Sequence, residues 1–297
     1  MRVACISLCI AGAFGSYVAG PLASTPRACR RRAPAAPLMA AADLLKVSHA
    51  VDDVDATAAF YTACLGLESS EVAGGAMLSA PGDASGLSLE LQQEAGASWS
   101  ETKGWQGAEG AGYQGLMARV PSVADACATA VANGGKVLRE IETVNHGASM
   151  MPEENEELDN PVVEALVADP SGFPLLLHEC DGAEAACLSG ARLSVYEWKK
   201  SQEWYEKLGL QTVRWNSNVH REASLTITLG AAAADPPVGP RGHLPPSSAP
   251  VLQLMYIYGA PPVEVADCGL RGITIGGGEA AKELSDPDAY KVVLQAA

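Results

Sequence analysis

Residues 46–67 read KVSHAVDDVDATAAFYTACLGL, and this stretch decides the fold. A short apolar run ends in three carboxylates, Asp52, Asp53 and Asp55, placed where a helix has to begin. Carboxylates there accept hydrogen bonds from the free amides of the first turn and complement the positive end of the helix dipole. Ala59, Phe60, Ala63 and Cys64 then fall on one side at helical spacing, and Gly66 provides the exit. The spacing predicts a helix over 56–65, preceded by a strand at 46–51. It is followed by strands at 71–79 and at 87–92, where Leu87, Leu89 and Leu91 alternate with Ser88, Glu90 and Gln92.

The same plan returns along the chain. Residues 116–120 read as a strand, 122–132 as a helix closed by Gly134-Gly135, and 136–144, 162–168 and 174–179 as three strands. A third copy follows a linker at 180–190. It has a strand at 193–196, a helix at 197–208, and strands at 211–215, 225–229 and 251–258. The fourth copy is short, with a strand at 270–275, a helical turn and a half at 279–284 and a last strand at 290–295. Gly276-Gly277-Gly278 lacks the Lys-Ser/Thr of a phosphate-binding loop and reads as a hinge. In the third copy Trp204, Tyr205, Leu208, Gly209 and Leu210 stand where the first copy has Phe60, Tyr61, Leu65, Gly66 and Leu67.

Charge is unevenly spread. Residues 1–42 hold Arg2, Arg27, Arg30, Arg31 and Arg32 and no acid, so the rest carries 15 basic against all 35 acidic side chains. That surface repels phosphate backbones and anionic lipid, which argues against nucleic acid or a membrane as partner. The first 42 residues read as a bipartite plastid-targeting leader. A basic start and an apolar run too short to span a bilayer end at Ala11-Gly12-Ala13, and an Arg-rich, acid-free, Pro-broken segment follows. An ordinary secretory signal with a linker is the alternative reading. Beyond the leader five cysteines remain without a Cys-x-x-Cys pair, so neither a disulfide framework nor a zinc cluster is expected.

The runs FYTACLGL (60–67), GLMARVPSVADACATAVANGGKVLRE (115–140), ADPSGFPLLLHE (168–179), WYEKLGL (204–210), VLQLMYIYG (251–259) and DPDAYKVVL (286–294) occur in the order found in tandem glyoxalase I. Over about residues 43–297 the chain resembles that branch of the vicinal-oxygen-chelate superfamily, the plastid-type lactoylglutathione lyases. The resemblance implies an α+β fold of tandem βαβββ modules. It also implies two glyoxalase-like domains, 43–181 with two modules and 190–297 with one module and a truncated one; four copies in one chain can pair internally, as a monomer would. The implied activity is lyase chemistry on the hemithioacetal of methylglyoxal and glutathione. A divalent metal, nickel or zinc, would polarise that small-molecule substrate while a ligand glutamate moves the proton, with glutathione as co-substrate.

The family places His on the first strand and Glu on the last strand of each module. Carried onto this chain, those positions are Lys46 and Glu90, Gly115 and Leu176, Gly190 and Gln253, and approximately Leu270 and Val293. The family's glutathione-holding Asn falls on Glu94 and Ile257. Glu90 is therefore the expected catalytic and metal-binding carboxylate, with Gln253 and His178 as substitute metal ligands. His178 lies two residues past Leu176, hence on the same strand face; a strand-end histidine facing solvent is the alternative. His49, three residues after Lys46, is expected on the opposite face under the helix. His146 lies near Glu153, Glu154, Glu156 and Glu157 in a loop whose spacing is not that of a calcium site, and such a loop is ordinarily solvated. The other reading of the whole is a catalytically inactive small-molecule-binding protein on the same fold.

Overall fold

The computed structural model describes residues 42–82, 86–97, 99, 112–145, 161–180, 185–218, 224–231, 249–260, 262, 269–278 and 280–296. The leader and the acidic loop with His146, like His220 and His243, lie outside these described residues. The first module is β1 (Leu44–Val51), α1 (Val54–Leu65), β2 (Glu68–Val72), β3 (Gly75–Ser79) and β4 (Ser88–Gln93). The second is β5 (Tyr113–Val120), α2 (Val123–Ala132), β6 (Lys136–Asn145), β7 (Pro161–Ala168) and β8 (Pro174–Glu179). The third is β9 (Cys187–Ser194), α3 (Trp198–Lys207), β10 (Gln211–Asn218), β11 (Ser224–Gly230) and β12 (Val251–Ile257). The fourth has β13 (Leu270–Gly278), β14 (Lys282–Ser285) and β15 (Lys291–Ala296). Among the described residues no helix is long and apolar enough to cross a membrane.

Helix α1 begins as its sequence requires. Asp53 adopts an extended backbone and its carboxylate accepts from the amide of Ala56 at 2.9 Å, while Gly66 closes the helix at φ 65°. Ser122 caps α2 by accepting from Asp125 N. Three expectations are corrected. Residues 282–285 form strand β14 and not the end of a helix, because their backbone pairs antiparallel with β15 and sheet pairing overrides a modest helical propensity. Residues 276–278 continue β13, and β9 starts at Cys187, inside the expected linker, because it is a central strand paired on both sides, with β5 and β12.

Sheet assembly does not follow the order of the chain. One sheet has seven strands in the order β14-β15-β13-β1-β4-β3-β2, joining the first module to the fourth through the antiparallel pair β1/β13. The other has eight, β10-β11-β12-β9-β5-β8-β7-β6, joining the second to the third through β5/β9. On the helix side the contacts run the other way, along the chain. Tyr61 OH donates to Asp169 Oδ2 at 3.1 Å and Thr57 meets Ser171 at 3.1 Å, tying the first module to the second. Tyr205 OH donates to Asp286 Oδ2 at 2.9 Å and Ser201 to Asp288 Oδ2 at 2.7 Å, tying the third to the fourth. Sheets and helices together close the four modules into a ring.

One apolar core runs through the helix side of both sheets. It takes Phe60, Leu89 and Leu91 from the first module, Leu116, Leu175 and Leu177 from the second, Leu193 and Leu254 from the third and Ile273 and Val292 from the fourth. Removal of each such side chain from water contributes about 1.5–3 kcal/mol. His49 lies in this core, fully buried, stacked on Phe173 with ring centroids 4.1 Å apart and with Nε2 2.8 Å from Tyr113 OH. Burial lowers its pKa to about 3, so it is neutral and structural, on the face that alternation assigned to it. Among the described residues all three helices pack on this core side, so none covers the opposite face of either sheet, to which strand alternation sends every second side chain.

Candidate functional site

On the helix-free face of the seven-stranded sheet, β1 and β4 run parallel with Lys46 opposite Ser88 and Ser48 opposite Glu90. The register brings three side chains together. Lys46 Nζ lies 2.8 Å from Glu90 Oε2, and Ser48 Oγ donates to the same oxygen at 2.7 Å. Burial alone would raise the Glu90 pKa, but the hydrogen bonds from Lys46 and Ser48 and the ammonium charge outweigh it and hold the carboxyl below its ordinary value. Glu90 is therefore an ionised acceptor already engaged by a cation of the chain itself. The β13 positions beside it are Thr274, opposite Lys46, and Gly272, opposite Ser48, with Val293 on β15 next to Thr274.

That pairing corrects the position assigned near Leu270. Thr274 faces Val293 as Met117 faces Leu176, so the fourth module's counterpart of Gly115 is Gly272, while Leu270 belongs to the core. Glu94, at the place of the family's glutathione-holding Asn, is engaged by Arg271, whose Nη2 and Nε lie 2.5 and 3.1 Å from Glu94 Oε2.

The eight-stranded sheet is built differently on the same face. Gly115 has φ 98°, and a Cβ there would sit 2.1 Å from the carbonyl oxygen of Pro174; at Gly190 it would sit 2.1 Å from that of Val251. Neither position holds a side chain without moving a neighbouring strand. Leu176 packs with Met117 and Leu166 in a separate apolar cluster, with Leu138 and Val251 beside it. Gln253 stands in register between Arg192 and Thr228. His178 shares Leu176's face, as expected, with Nε2 3.3 Å from Glu164 Oε2, and the buried Glu164 also receives Arg139 Nη2 at 2.7 Å.

Glu90 thus lies on one sheet, and Gln253 and His178 on the other. The side chains at the family's metal positions are Lys46, Glu90, Gly272 and Val293 on one face, and Gly115, Leu176, Gly190 and Gln253 on the other. Divalent metals need several oxygen, nitrogen or sulfur donors converging on one point. Each face supplies one oxygen-bearing side chain at these positions, so the residues do not fit the metal, and among the described residues no group of three His, Cys, Asp or Glu comes together to hold one.

Sequence reasoning did not reach the Lys46–Ser48–Glu90 contact or the basic residues of the larger sheet. Arg119 sits between Ala118 and Val120 and Arg192 between Ala191 and Leu193, all core positions, so strand parity alone would have placed both arginines on the opposite face.

The comparisons agree with this architecture. Residues 44–177 match the sequence profile of the Glyoxalase/Bleomycin resistance protein/Dioxygenase superfamily. The chain is 28% identical over 224 residues, 73% of its length, to a probable chloroplastic lactoylglutathione lyase of Arabidopsis thaliana, and the match spans about half, 54%, of that relative. Glyoxalase I from Zea mays superposes with a TM-score of 0.61 at 21% identity, over 85% of this chain and 92% of that one. A putative dioxygenase from Bacillus subtilis gives 0.53 at 12% identity, over 87% and 86%. With four modules in two cross-assembled sheets, this chain has the fold of glyoxalase I and carries, over residues 44–177, a domain of the Glyoxalase/Bleomycin resistance protein/Dioxygenase superfamily.

Proposed function

We propose that this is a plastid glyoxalase I-like protein of lactoylglutathione lyase type that takes a small molecule on the helix-free faces of its sheets. Similarity to the chloroplastic lyase along most of the chain supports the type and the compartment, as does the acid-free leader at 1–42. Assembly of both sheets within a single chain supports a monomer. In this reading the substrate is the hemithioacetal of methylglyoxal and glutathione, with Glu90 as proton carrier; Gln253 and His178, on the other sheet, do not complete a site at Glu90 for the nickel or zinc the family uses.

A second reading, binding of the small molecule without turnover, is favoured by one observation: Lys46 stands at the family's metal-histidine position and its ammonium lies on Glu90. A carboxylate so held is a weak base, and the other seven family positions do not complete a metal site. The geometry favours this version. Purified full-length protein separates the two when supplied with the hemithioacetal and nickel or zinc, and absorbance follows thioester formation. Turnover that disappears in Glu90→Gln establishes the lyase. Absence of turnover with saturable binding of S-hexylglutathione in calorimetry establishes the binding protein, and absence of both sinks the proposal.

A further inference from the structure

On the helix-free face of the seven-stranded sheet, Lys46 stands between two hydroxyls. The register places Thr274 on one side of it and Ser88 on the other, with Val293 beyond Thr274. The next row runs Gly272, Ser48, Glu90 and Met77, and Gly272 brings no side chain over its neighbour Ser48. Thr274 is 6% exposed and Ser88 is half-buried. Among the described residues neither hydroxyl meets a hydrogen-bonding partner.

The two charges in the middle are matched to each other and still have bonding capacity. An ammonium carries three donors, and Glu90 Oε2 engages one of them at 2.8 Å. A carboxylate has about four acceptor positions. Glu90 uses them for Lys46, Ser48 and Gln92, which leaves room for one more donor. The side chains of Lys46 and Glu90 are 30% and 19% exposed, so a solute reaches both while most of each stays shielded from water. Donors converging from Lys46, Thr274 and Ser88 suit a carboxylate. A simple carboxylate would nevertheless come up against the ionised Glu90, and against a chain whose acids outnumber its bases by 35 to 20. A ligand escapes that repulsion by bringing a cation of its own for Glu90. It is then a zwitterion, and its charges have to lie as near each other as those of Lys46 and Glu90. The ammonium and carboxylate of an α-amino acid, joined through one carbon, meet that condition.

We propose that Lys46 and Glu90 form a metal-independent site for a free α-amino acid. The ligand's carboxylate accepts from Lys46, Thr274 and Ser88, and its ammonium donates to Glu90, so that the two dipoles lie head to tail. The site deepens the binding reading given above and rests on it, by naming the class of small molecule that the ion pair selects. Neither glutathione nor a divalent metal takes part. Selectivity comes from both charges at once: removing the ligand's ammonium leaves its carboxylate facing Glu90, and removing its carboxylate leaves its ammonium facing Lys46.

The test uses full-length protein in metal-free buffer and isothermal calorimetry with L-alanine, L-lactate, L-alaninamide and γ-glutamylglycine. Lactate carries a hydroxyl in place of the ammonium, and alaninamide lacks the carboxylate. The site predicts saturable binding of alanine, about tenfold or more tighter than either analogue. Lys46→Gln and Glu90→Gln each weaken it by about tenfold or more, the range of a lost charge-assisted contact, and Thr274→Val weakens it by about threefold or more. Lys199→Gln, on α3, leaves it unchanged. The partly exposed Lys46 and Glu90 decide the matter if Thr274→Val does not fold. Absence of alanine binding overturns the proposal, as does binding that neither Lys46→Gln nor Glu90→Gln alters. Lactate or alaninamide binding as tightly as alanine removes one of the two charges and overturns the zwitterion. Binding of γ-glutamylglycine without binding of alanine overturns the free amino acid and returns the face to the glutathione reading. Because the assay contains no glutathione and no metal, its failure leaves the lyase and S-hexylglutathione outcomes to their own experiment.

Discussion

The two sheets share one plan and have departed from it in different ways. On the seven-stranded sheet the family's first-strand histidine is replaced by Lys46, and the glutamate it would have joined is kept; the cation is now a side chain fixed to Glu90. On the eight-stranded sheet both parts are gone. Glycines stand where backbone from the next strand leaves no room for a side chain, and Leu176 is drawn into an apolar cluster. The corresponding positions thus differ by a substituted charge on one sheet and by filled space on the other. The first leaves a charged pair near water, and the second an apolar floor.

The largest expected effect distinguishes the two by restoring histidine. Gly115→His places a Cβ against the Pro174 carbonyl at a positive φ, and we expect it to lose on the order of 3 kcal/mol in urea denaturation, through strain and steric clash. Lys46→His, at a partly exposed position, is expected to stay within about 1 kcal/mol of the parent. Equal losses would mean that the two positions are equally closed, and the contrast between the sheets would fail.

Next come the ties that the sheets do not supply. Tyr61→Phe and Tyr205→Phe each leave a buried aspartate short of a donor, at an expected cost of about 1–3 kcal/mol each by the same denaturation assay. A loss in only one of them would show that the two halves of the ring are not held alike.

A pH prediction follows from the same turns. Burial pushes the Asp169 carboxyl up to about 7 despite hydrogen bonds from Phe173, Tyr61, Ser171 and Gly172, and Asp286 up to about 6. The folded state then holds more protons on these groups than the unfolded state above pH 4, so their contribution falls as pH rises toward 7. For Asp169 the slope reaches at most about 1.4 kcal/mol per pH unit. His49, lowered to about 3, acts in the opposite sense and destabilises the fold as pH falls below 6.5. Subtracting the stability of Asp169→Asn from that of the parent at each pH isolates the carboxyl, and we expect that difference to fall steadily from pH 4 to pH 7. A flat difference would contradict the buried, protonated carboxyl. The smallest effect belongs to Glu90→Gln, whose partly exposed ion pair with Lys46 is worth less than about 1 kcal/mol in urea denaturation.

Much of this was readable in the chain. The capped helix after Asp53, the Leu87-Leu89-Leu91 alternation and the DPSG and DPDA turns are local signals, and they gave the modules and their order. Pairing of the first module with the fourth was not readable, because it depends on β1 and β13 meeting across more than two hundred residues. Residues 282–284 read as helical because AAKEL favours a helix locally, and only the partner strand β15 reveals otherwise. At the sites, the replacement of a histidine by Lys46 was visible at once, but its contact with Glu90 was not, since it needs the parallel register of β1 and β4.

If a lysine ammonium takes the place of the metal cation at Glu90, the chain should hold no divalent metal there, and metal content decides it. Full-length protein incubated with excess nickel or zinc, dialysed and analysed by mass spectrometry should retain far less than one metal ion per chain, in the parent and in Glu90→Gln alike. One tightly held metal per chain in the parent, lost in Glu90→Gln, would contradict it.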